Sequence, residues 1–379
     1  MLQVVEINAI EHLEAIRLRW TALLYETPGA SFFHTLDWLK VYWQHFRDSH
    51  RLRVQLVHRG GTVIGILPLI VRAEATALGP VDVLTYPTIH SGQFYGPIGP
   101  NPTATLMASF RHLADKPRDW NLLSLAGIGE HDHGRTANAL EVAGFCRRED
   151  LHSPVSKVCF DASWPDYLSE LGTGVVERRH ALDRESEIAG DITFERIRPL
   201  GSTYGDDQLL EGLVEDCFAL DLHSSLGESS RTPSAACFRD LVTTASRLGM
   251  LDLNLLRLDG RPIAFSLNVH FDAAIQQICV GEAAASRKFH PASVLTLRML
   301  QDSFSRKDRY IYLAASTDGF ANPWATEHLP VARYQHREAM PLHVHLTRFG
   351  KWLSLRTMAL QGRRNRQTDG LGRPSYDRK

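Results

Sequence analysis

The stretch LDLNLLRLDGRPIAFSLNVH, residues 251–270, runs as two apolar segments on either side of the pair Asp259-Gly260. An earlier stretch, LRVQLVHRGGTVIGILPLIV, has the same plan around a second glycine turn and begins 199 residues before it, at residue 52. Glycine adopts positive φ without a steric penalty, so both turns are typical of a tight connection between antiparallel strands. Each stretch therefore predicts a β-hairpin, and the chain is predicted to contain two copies of one structural unit.

The segments around the two hairpins also correspond. DWLKVYWQHF (37–46) and FRDLVTTASRLG (238–249) precede them, and both carry apolar residues at helical spacing. The second hairpin is followed by a strand, AIQQICV (274–280), by RKFHPASVL (287–295) at the start of a helix, and by a strand, RYIYLAA (309–315). We predict an α+β fold of two tandem units, each a mixed, mostly antiparallel sheet flanked by helices.

The two units differ after their third strand. The loop at 287–293 leads into a helix, and the free amides and the dipole of a helix N-terminus attract anions. The first unit has TYPTIHSGQFYGPIGP (85–100) at this place, which prolines interrupt and which no amphipathic helix directly follows. We expect one unit that binds an anion, one that has lost this ability, and a cleft between them.

Composition narrows the class of protein. A length of 379 residues predicts two domains, and a net charge of −1 gives no electrostatic support for binding nucleic acid. Apolar runs such as VIGILPLIV (63–71) are too short to cross a membrane, and residues 1–20 do not have the pattern of a signal peptide. The five cysteines have no metal-ligand spacing, so we expect a cytoplasmic protein with reduced thiols.

The order of these motifs resembles the Gcn5-related N-acetyltransferase (GNAT) superfamily in its two-domain branch. It looks like the acetyltransferases of the CelD/BcsL type, which share their architecture with the FemAB peptidoglycan aminoacyltransferases. The resemblance extends over most of the chain, through FFHTLDWLKVYW (32–43), GILPLIV (65–71), ERRHALDRESEIAG (177–190), LRLDGRPIAFSL (256–267) and RKFHPASVL (287–295).

This resemblance implies a division of the chain into tandem GNAT-like domains. Residues 1–160 would form a degenerate first domain, and residues 161–190 a helical connector. Residues 191–341 would form the domain that binds acyl-CoA. Residues 342–379 would form a basic amphipathic helix and a disordered tail.

The resemblance also implies a site for the pyrophosphate of acetyl-CoA or another acyl-CoA in the loop after the fourth strand. Arg287 and Lys288 would supply positive charge, and the amides of Ala292, Ser293 and Val294 would donate hydrogen bonds. Ala292 stands where the family prefers glycine. The alternative is a solvated Arg-Lys pair beside an ordinary helix N-cap.

Acyl transfer to an amine needs a base for the amine, a donor for the oxyanion and an acid for the leaving thiolate. Glu282 is the predicted base and lies at the end of the strand that precedes the predicted acyl-CoA loop. His90 of the first unit is the alternative base. An amide of the strand at 275–281 could bind the oxyanion, and Tyr310 or Tyr312 could protonate the thiolate. Glu282 could instead cap the strand end, and Tyr312 could be a core residue.

The acceptor is predicted to be a small-molecule or glycan-precursor amine, held by Tyr95 and, more weakly, by Arg178 and Arg179. The segment 342–366 could form a peripheral contact with the inner face of the membrane. Histidine pairs at 131 and 133 and at 343 and 345 lack a third ligand, so no metal is assigned. Residues near 282 and 312–321 depart from the family pattern, and the sequence does not determine the acyl chain length or the oligomeric state.

Three functions remain open at this point. The first is an acyl-CoA-dependent N-acyltransferase that acts on a sugar or on a cell-envelope or exopolysaccharide precursor. The second is a FemAB-type transferase that uses aminoacyl-tRNA. The third is a non-catalytic binding protein on the same fold.

Overall fold

A computed structural model gives the fold of the chain. It describes residues 2–76, 79–89, 94–145, 148–172, 174, 177, 181–182, 184, 190–199, 207–220, 234–313 and 322–337. The strands in these residues are β1 Leu2–Ile7, β2 His50–Arg59, β3 Thr62–Thr76, β4 Gly79–Thr85, β5 Leu122–Ile128, β6 Arg148–Cys159, β7 Ile192–Ile197, β8 Leu251–Leu258, β9 Arg261–Phe271, β10 Ala274–Glu282, β11 Tyr310–Leu313 and β12 Glu327–Arg337.

Helices cover both faces of the strands. The α-helices in the described residues are α1 Arg17–Tyr25, α2 Leu36–Phe46, α3 Pro102–Asp115, α4 Glu130–Val142, α5 Trp164–Glu170, α6 Asp207–Ala219, α7 Ala235–Arg247 and α8 Pro291–Arg306. Short 3₁₀ helices span Ile10–Ile16, Phe32–His34 and Ala284–Phe289. Within the described part of the chain, no helix is long and apolar enough to span a membrane.

All twelve strands lie in one sheet, in the order β1-β2-β3-β4-β5-β12-β6-β11-β10-β9-β8-β7. Pairing is antiparallel except between β4 and β5 and between β10 and β11. The strands β1–β5 and β7–β11 therefore repeat the same arrangement and approach the centre of the sheet from opposite edges. The predicted α+β fold of two tandem units, each a mixed, mostly antiparallel sheet flanked by helices, is confirmed.

The two hairpins match in local detail. Gly60 and Gly61 have φ of 56° and 81°, and Asp259 and Gly260 have φ of 49° and 77°. A bulge interrupts the pairing after Val57 in the first hairpin and after Leu256 in the second, again 199 residues apart. The repeat predicted from the sequence thus includes the turns and the bulges.

The last strand of each unit lies beside the other unit. Strand β6 pairs with β11, and β12 pairs with β5 and with β6. The predicted domain boundaries at residues 160 and 191 therefore separate two segments of the sequence that together form one continuous sheet. The connector predicted at 161–190 begins with α5, and most of the rest of it lies outside the described residues.

The two units also share a hydrophobic core. One cluster of buried side chains contains residues from both, including Trp38 of α2 and Phe238 of α7. At the margin of this contact, His45 lies 2.7 Å from Asp240, and Arg247 donates to Asp37 at 3.0 Å. A second cluster packs α8 against the other face of the second unit.

A helix does follow β4 in the first unit, although at some distance along the chain. Helix α3 starts at Pro102 and lies between β4 and β5 in sequence, as α8 lies between β10 and β11. Residues 86–101 separate it from its strand, whereas α8 follows β10 after a short 3₁₀ turn. The prediction that the first unit lacks a directly following helix agrees with this spacing, but the unit does contain the equivalent helix.

An ion-pair cluster occupies the same place in both units, with reversed charges. In the first unit Arg53 bonds Glu6 and Asp119, both at 2.6 Å. At the position 199 residues later stands Asp252, which bonds Arg196 at 2.8 Å. The second cluster is deeper in the protein, because Asp252 is fully buried and the Arg53 side chain is 22% exposed.

Candidate active site

The parallel strands β10 and β11 stop pairing partway along β10, which leaves a gap between them. In the described residues, pairing between them stops after three positions, while β10 continues to Glu282 as a partner of β9. A bulge between Gln277 and Cys279 bends β10 at this point. The paired residues are Ala274 with Tyr310, Ile275 with Ile311 and Gln276 with Tyr312.

The N-terminus of α8 lies next to the end of β10. His290 has φ of 50° and precedes the helix, and Pro291 takes the first helical position, where a missing N–H costs nothing. The amide of Ala292 donates to Glu282 Oε2 at 3.3 Å. The amides of Ser293 and Val294 donate to the His290 carbonyl at 2.9 and 3.1 Å. Of these three predicted phosphate donors, that of Ala292 meets an anionic group.

Glu282 therefore behaves as an internal anion at the helix N-terminus. Its carboxylate accepts from Ala292 and lies 3.6 Å from Arg287 Nε, and 27% of the side chain is exposed. A carboxylate in this place stabilises the free amides and the helix dipole. This contact is with the N-terminus of α8 and not with the strand end, and a role as base would require Glu282 to act from this position.

The two predicted cofactor cations lie on the 3₁₀ turn that joins β10 to α8. Arg287 and Lys288 occupy the last turn of the segment Ala284–Phe289, and both are exposed. Arg287 is close to Glu282, as described above. The loop thus carries positive charge at the mouth of the gap, on the side of the α8 N-terminus.

Tyr312 stands where β10 and β11 separate. Its ring centroid is 4.8 Å from that of Phe94 of the first unit and 5.0 Å from that of Tyr310. Burial raises the pKa of Tyr312, so the hydroxyl stays protonated at neutral pH. A raised pKa makes this hydroxyl a weaker acid than that of an exposed tyrosine, and the same packing gives Tyr312 a place in the core.

Strands β6 and β12, the last strand of each unit, bring further polar groups to Tyr312 that the sequence did not indicate. Lys157 of β6 donates to Glu327 of β12 at 2.9 Å, and its ammonium lies 5.2 Å from the Tyr310 ring centroid. Cys159 contacts the same carboxylate at 3.4 Å, and burial raises the pKa of its thiol. The β6–β11 pairing that assembles this group has no local sequence signal.

The equivalent gap of the first unit is filled by the chain itself. Strands β4 and β5 pair at two positions, and the segment after β4 returns so that the Tyr95 amide donates to the Gly127 carbonyl at 2.9 Å. The Tyr95 hydroxyl accepts from Trp38 Nε1 at 2.7 Å and donates to the Pro87 carbonyl at 2.9 Å. Tyr95 is fully buried, so it seals this gap, and its neighbour Phe94 faces the second unit.

A narrow slot lies between the two units, against the paired ends of β10 and β11. Its volume is about 20 Å³. Residues 29–32 and Phe94 of the first unit form one wall, and the ends of β9, β10 and β11 form the other. The second-unit residues are Val269, His270, Phe271, Ala274, Ile275, Gln276, Tyr310 and Tyr312.

The remaining predicted residues are three site residues outside the described part of the chain and a histidine of a possible metal-binding pair. His90, Arg178 and Arg179, together with the segment 342–366, lie outside the described residues. His133 bonds Glu149 at 2.7 Å. Across the described ranges, no group of three or more His, Cys, Asp and Glu side chains could hold a metal ion.

Comparison with known proteins identifies the class of the second unit. Residues 181–330 match the family model "Acetyltransferase (GNAT) domain". The chain therefore contains a GNAT-type acetyltransferase domain, and this domain includes the gap between β10 and β11 and the N-terminus of α8. No curated protein matches the sequence.

Solved structures share the fold at low identity. FemX has a TM-score of 0.55 and 11% identity, over 90% of this chain and 98% of FemX. L-PGS from Bacillus licheniformis has a TM-score of 0.50 and 12% identity, over 88% of this chain and 96% of its own. A tandem GNAT protein from the clavulanic acid biosynthesis pathway has 0.49 and 14%, over 90% and 99%. At these identities the first two similarities establish a common fold.

Proposed function

We propose that the protein is an acyl-CoA-dependent N-acyltransferase that acylates an amino group of a sugar or of a cell-envelope or exopolysaccharide precursor. The observation that carries the proposal is the gap between β10 and β11, which opens beside the N-terminus of α8 inside the segment that matches the GNAT domain. The equivalent gap of the first unit is filled by Tyr95, so one donor would bind per chain.

The donor phosphates would bind at the loop between β10 and α8. Arg287 and Lys288 supply positive charge there, and the helix dipole adds to it. The carboxylate of Glu282 already occupies the Ala292 amide, so a phosphate would replace it or bind beside it.

Transfer would then proceed by direct attack of the amine on the thioester. The amine loses a proton to His90 or, through water, to Glu282, which lies beside the proposed phosphate site, and its nitrogen bonds to the thioester carbon. The carbon–sulfur bond breaks, and Tyr312 donates its proton to the leaving thiolate. An amide of β10 beyond the bulge would stabilise the oxyanion where the two strands are apart.

Donor binding is tested by thermal shift with acetyl-CoA. A ligand at about 100 times its dissociation constant stabilises the fold by roughly 2.7 kcal/mol, and the double change Arg287→Ala with Lys288→Ala should reduce that shift. The matched control is Arg306→Ala with Lys307→Ala, at the opposite end of the same helix. Equal shifts in both double variants would show that the β10–α8 loop does not hold the donor.

The catalytic assignments are tested by Glu282→Gln and His90→Ala. A positioned base contributes about 10²- to 10⁴-fold, so kcat should fall by that factor in one of the two variants. The assay is repeated with aminoacyl-tRNA as donor, because a FemAB-type transferase is the alternative function. Turnover with aminoacyl-tRNA and none with acyl-CoA would replace this proposal by its alternative. Absence of turnover with either donor would favour a binding protein.

The proposed location is the cytoplasm, with a peripheral contact to the membrane through the basic segment 342–366. Each cation near an anionic surface contributes about 1 kcal/mol. Cosedimentation with vesicles that contain phosphatidylglycerol, compared between the full chain and a chain that ends at residue 341, tests this contact. Equal recovery of both chains with the vesicles would refute it.

A further inference from the structure

The slot between the units is uncharged as well as narrow. Its lining contains no Lys, Arg, Asp or Glu side chain. Burial lowers the pKa of its one histidine, His270, which is therefore neutral at pH 7. A phosphate or an ammonium group would lose its hydration there without gaining an opposite charge, so the lining favours an uncharged group.

The size of the slot limits such a group. A cavity needs a volume of about 10–15 Å³ to hold one water molecule, and the slot has a volume of about 20 Å³. A methyl group is close to a water molecule in size. The slot as it stands thus has room for one methyl-sized group.

The position of the slot connects it to the proposed donor site. It extends to Gln276 and Tyr312, which are the last paired residues before β10 and β11 separate. Its far wall belongs to the first unit, where Ala30 is buried and Phe94 packs against Tyr312. The acyl end of a donor in the gap would therefore point from the second unit towards the first.

We propose that this slot receives the acyl group of the donor and that its first-unit wall restricts the donor to acetyl-CoA. The inference rests on the proposed function, because it takes the gap between β10 and β11 as the donor site. It assigns the degenerate first unit a role in selecting the substrate, carried by Ala30 and Phe94.

The test measures the affinities of CoA, acetyl-CoA, butyryl-CoA and hexanoyl-CoA by calorimetry, so that no acceptor is needed. A misfitting methylene in an apolar pocket costs about 10- to 200-fold, so the wild type should bind butyryl-CoA at least about 10-fold more weakly than acetyl-CoA. Phe94→Ala opens the wall and should remove this difference. Ala30→Leu fills the slot and should weaken acetyl-CoA by about 10-fold while CoA itself binds as before.

The matched control is Phe46→Ala, which removes another partly buried phenylalanine of the first unit, distant from the slot lining. It should keep the wild-type order of affinities. If every CoA compound binds but neither Phe94→Ala nor Ala30→Leu changes the order of chain lengths, the inference is wrong and the proposed function stands. If no CoA compound binds the wild type, the proposed function fails and the inference with it.

Discussion

The substitution Asp252→Asn should destabilise the protein strongly, because this carboxylate is fully buried and balances two arginines. It accepts from Arg196 at 2.8 and 2.9 Å and from Arg198 at 3.2 Å. Burial alone would raise the pKa of Asp252, but the hydrogen bonds and charges of the arginines outweigh it and hold the pKa well below its usual range. Asparagine keeps the size of the side chain and removes the charge.

The magnitude follows from what remains in the cluster. Removing one partner of a buried ion pair costs about 3–5 kcal/mol, and the Arg196 side chain is 2% exposed. Asp302 and Asp308 still bond the two arginines, so the lower end, about 3 kcal/mol, is expected. An unfolding entropy of about 2.1 cal/mol/K per residue gives roughly 0.8 kcal/mol/K for the 379-residue chain, so Tm should fall by about 4 °C.

The assay is urea and thermal unfolding followed by circular dichroism at pH 7, with Asp119→Asn as control. Asp119 bonds Arg53 in the equivalent cluster of the first unit and is 39% exposed, so its loss should cost less than about 1 kcal/mol. A cost for Asp252→Asn no larger than that of Asp119→Asn would refute the reasoning. The folded pKa of Asp252 is depressed, so its stabilisation is present above pH 4 and is lost below it; the difference between wild type and Asp252→Asn should therefore shrink in acid.

Three further predictions concern other parts of the fold. Burial lowers the pKa of His34 to about 4, so the unfolded chain binds a proton that the folded chain does not between pH 6.5 and 4. Stability measured in urea should fall by about 3 kcal/mol over that range, and an unchanged slope in His34→Gln would contradict this. Gly281→Ala places a Cβ 2.1 Å from the buried Phe265 ring and should cost about 1–3 kcal/mol, whereas Gly134→Ala on an open helix surface should not destabilise the protein. Calorimetry should give one CoA per chain, since Tyr95 seals the first gap, and a stoichiometry near two would overturn that account.

The sequence by itself determined the repeat and the class of fold. Strand alternation and turn residues are local properties, so the hairpins around Gly60-Gly61 and Asp259-Gly260 were readable without tertiary contacts. The helix that starts at Pro291 was readable for the same reason, because its N-terminal signals are neighbours along the chain.

Only the tertiary structure decided which residues surround the site. The pairing of β6 with β11 and with β12 places Lys157 and Glu327 beside Tyr310. These contacts join segments more than 140 residues apart. The return of the chain after β4 buries Tyr95, which the sequence suggested for the acceptor, and leaves Phe94 facing Tyr312. Glu282 became a partner of the Ala292 amide because β10 ends beside α8. Hydrophobic periodicity indicates which face of a helix or strand is buried. The side-chain partners across a sheet depend on strand pairing, which no local pattern specifies.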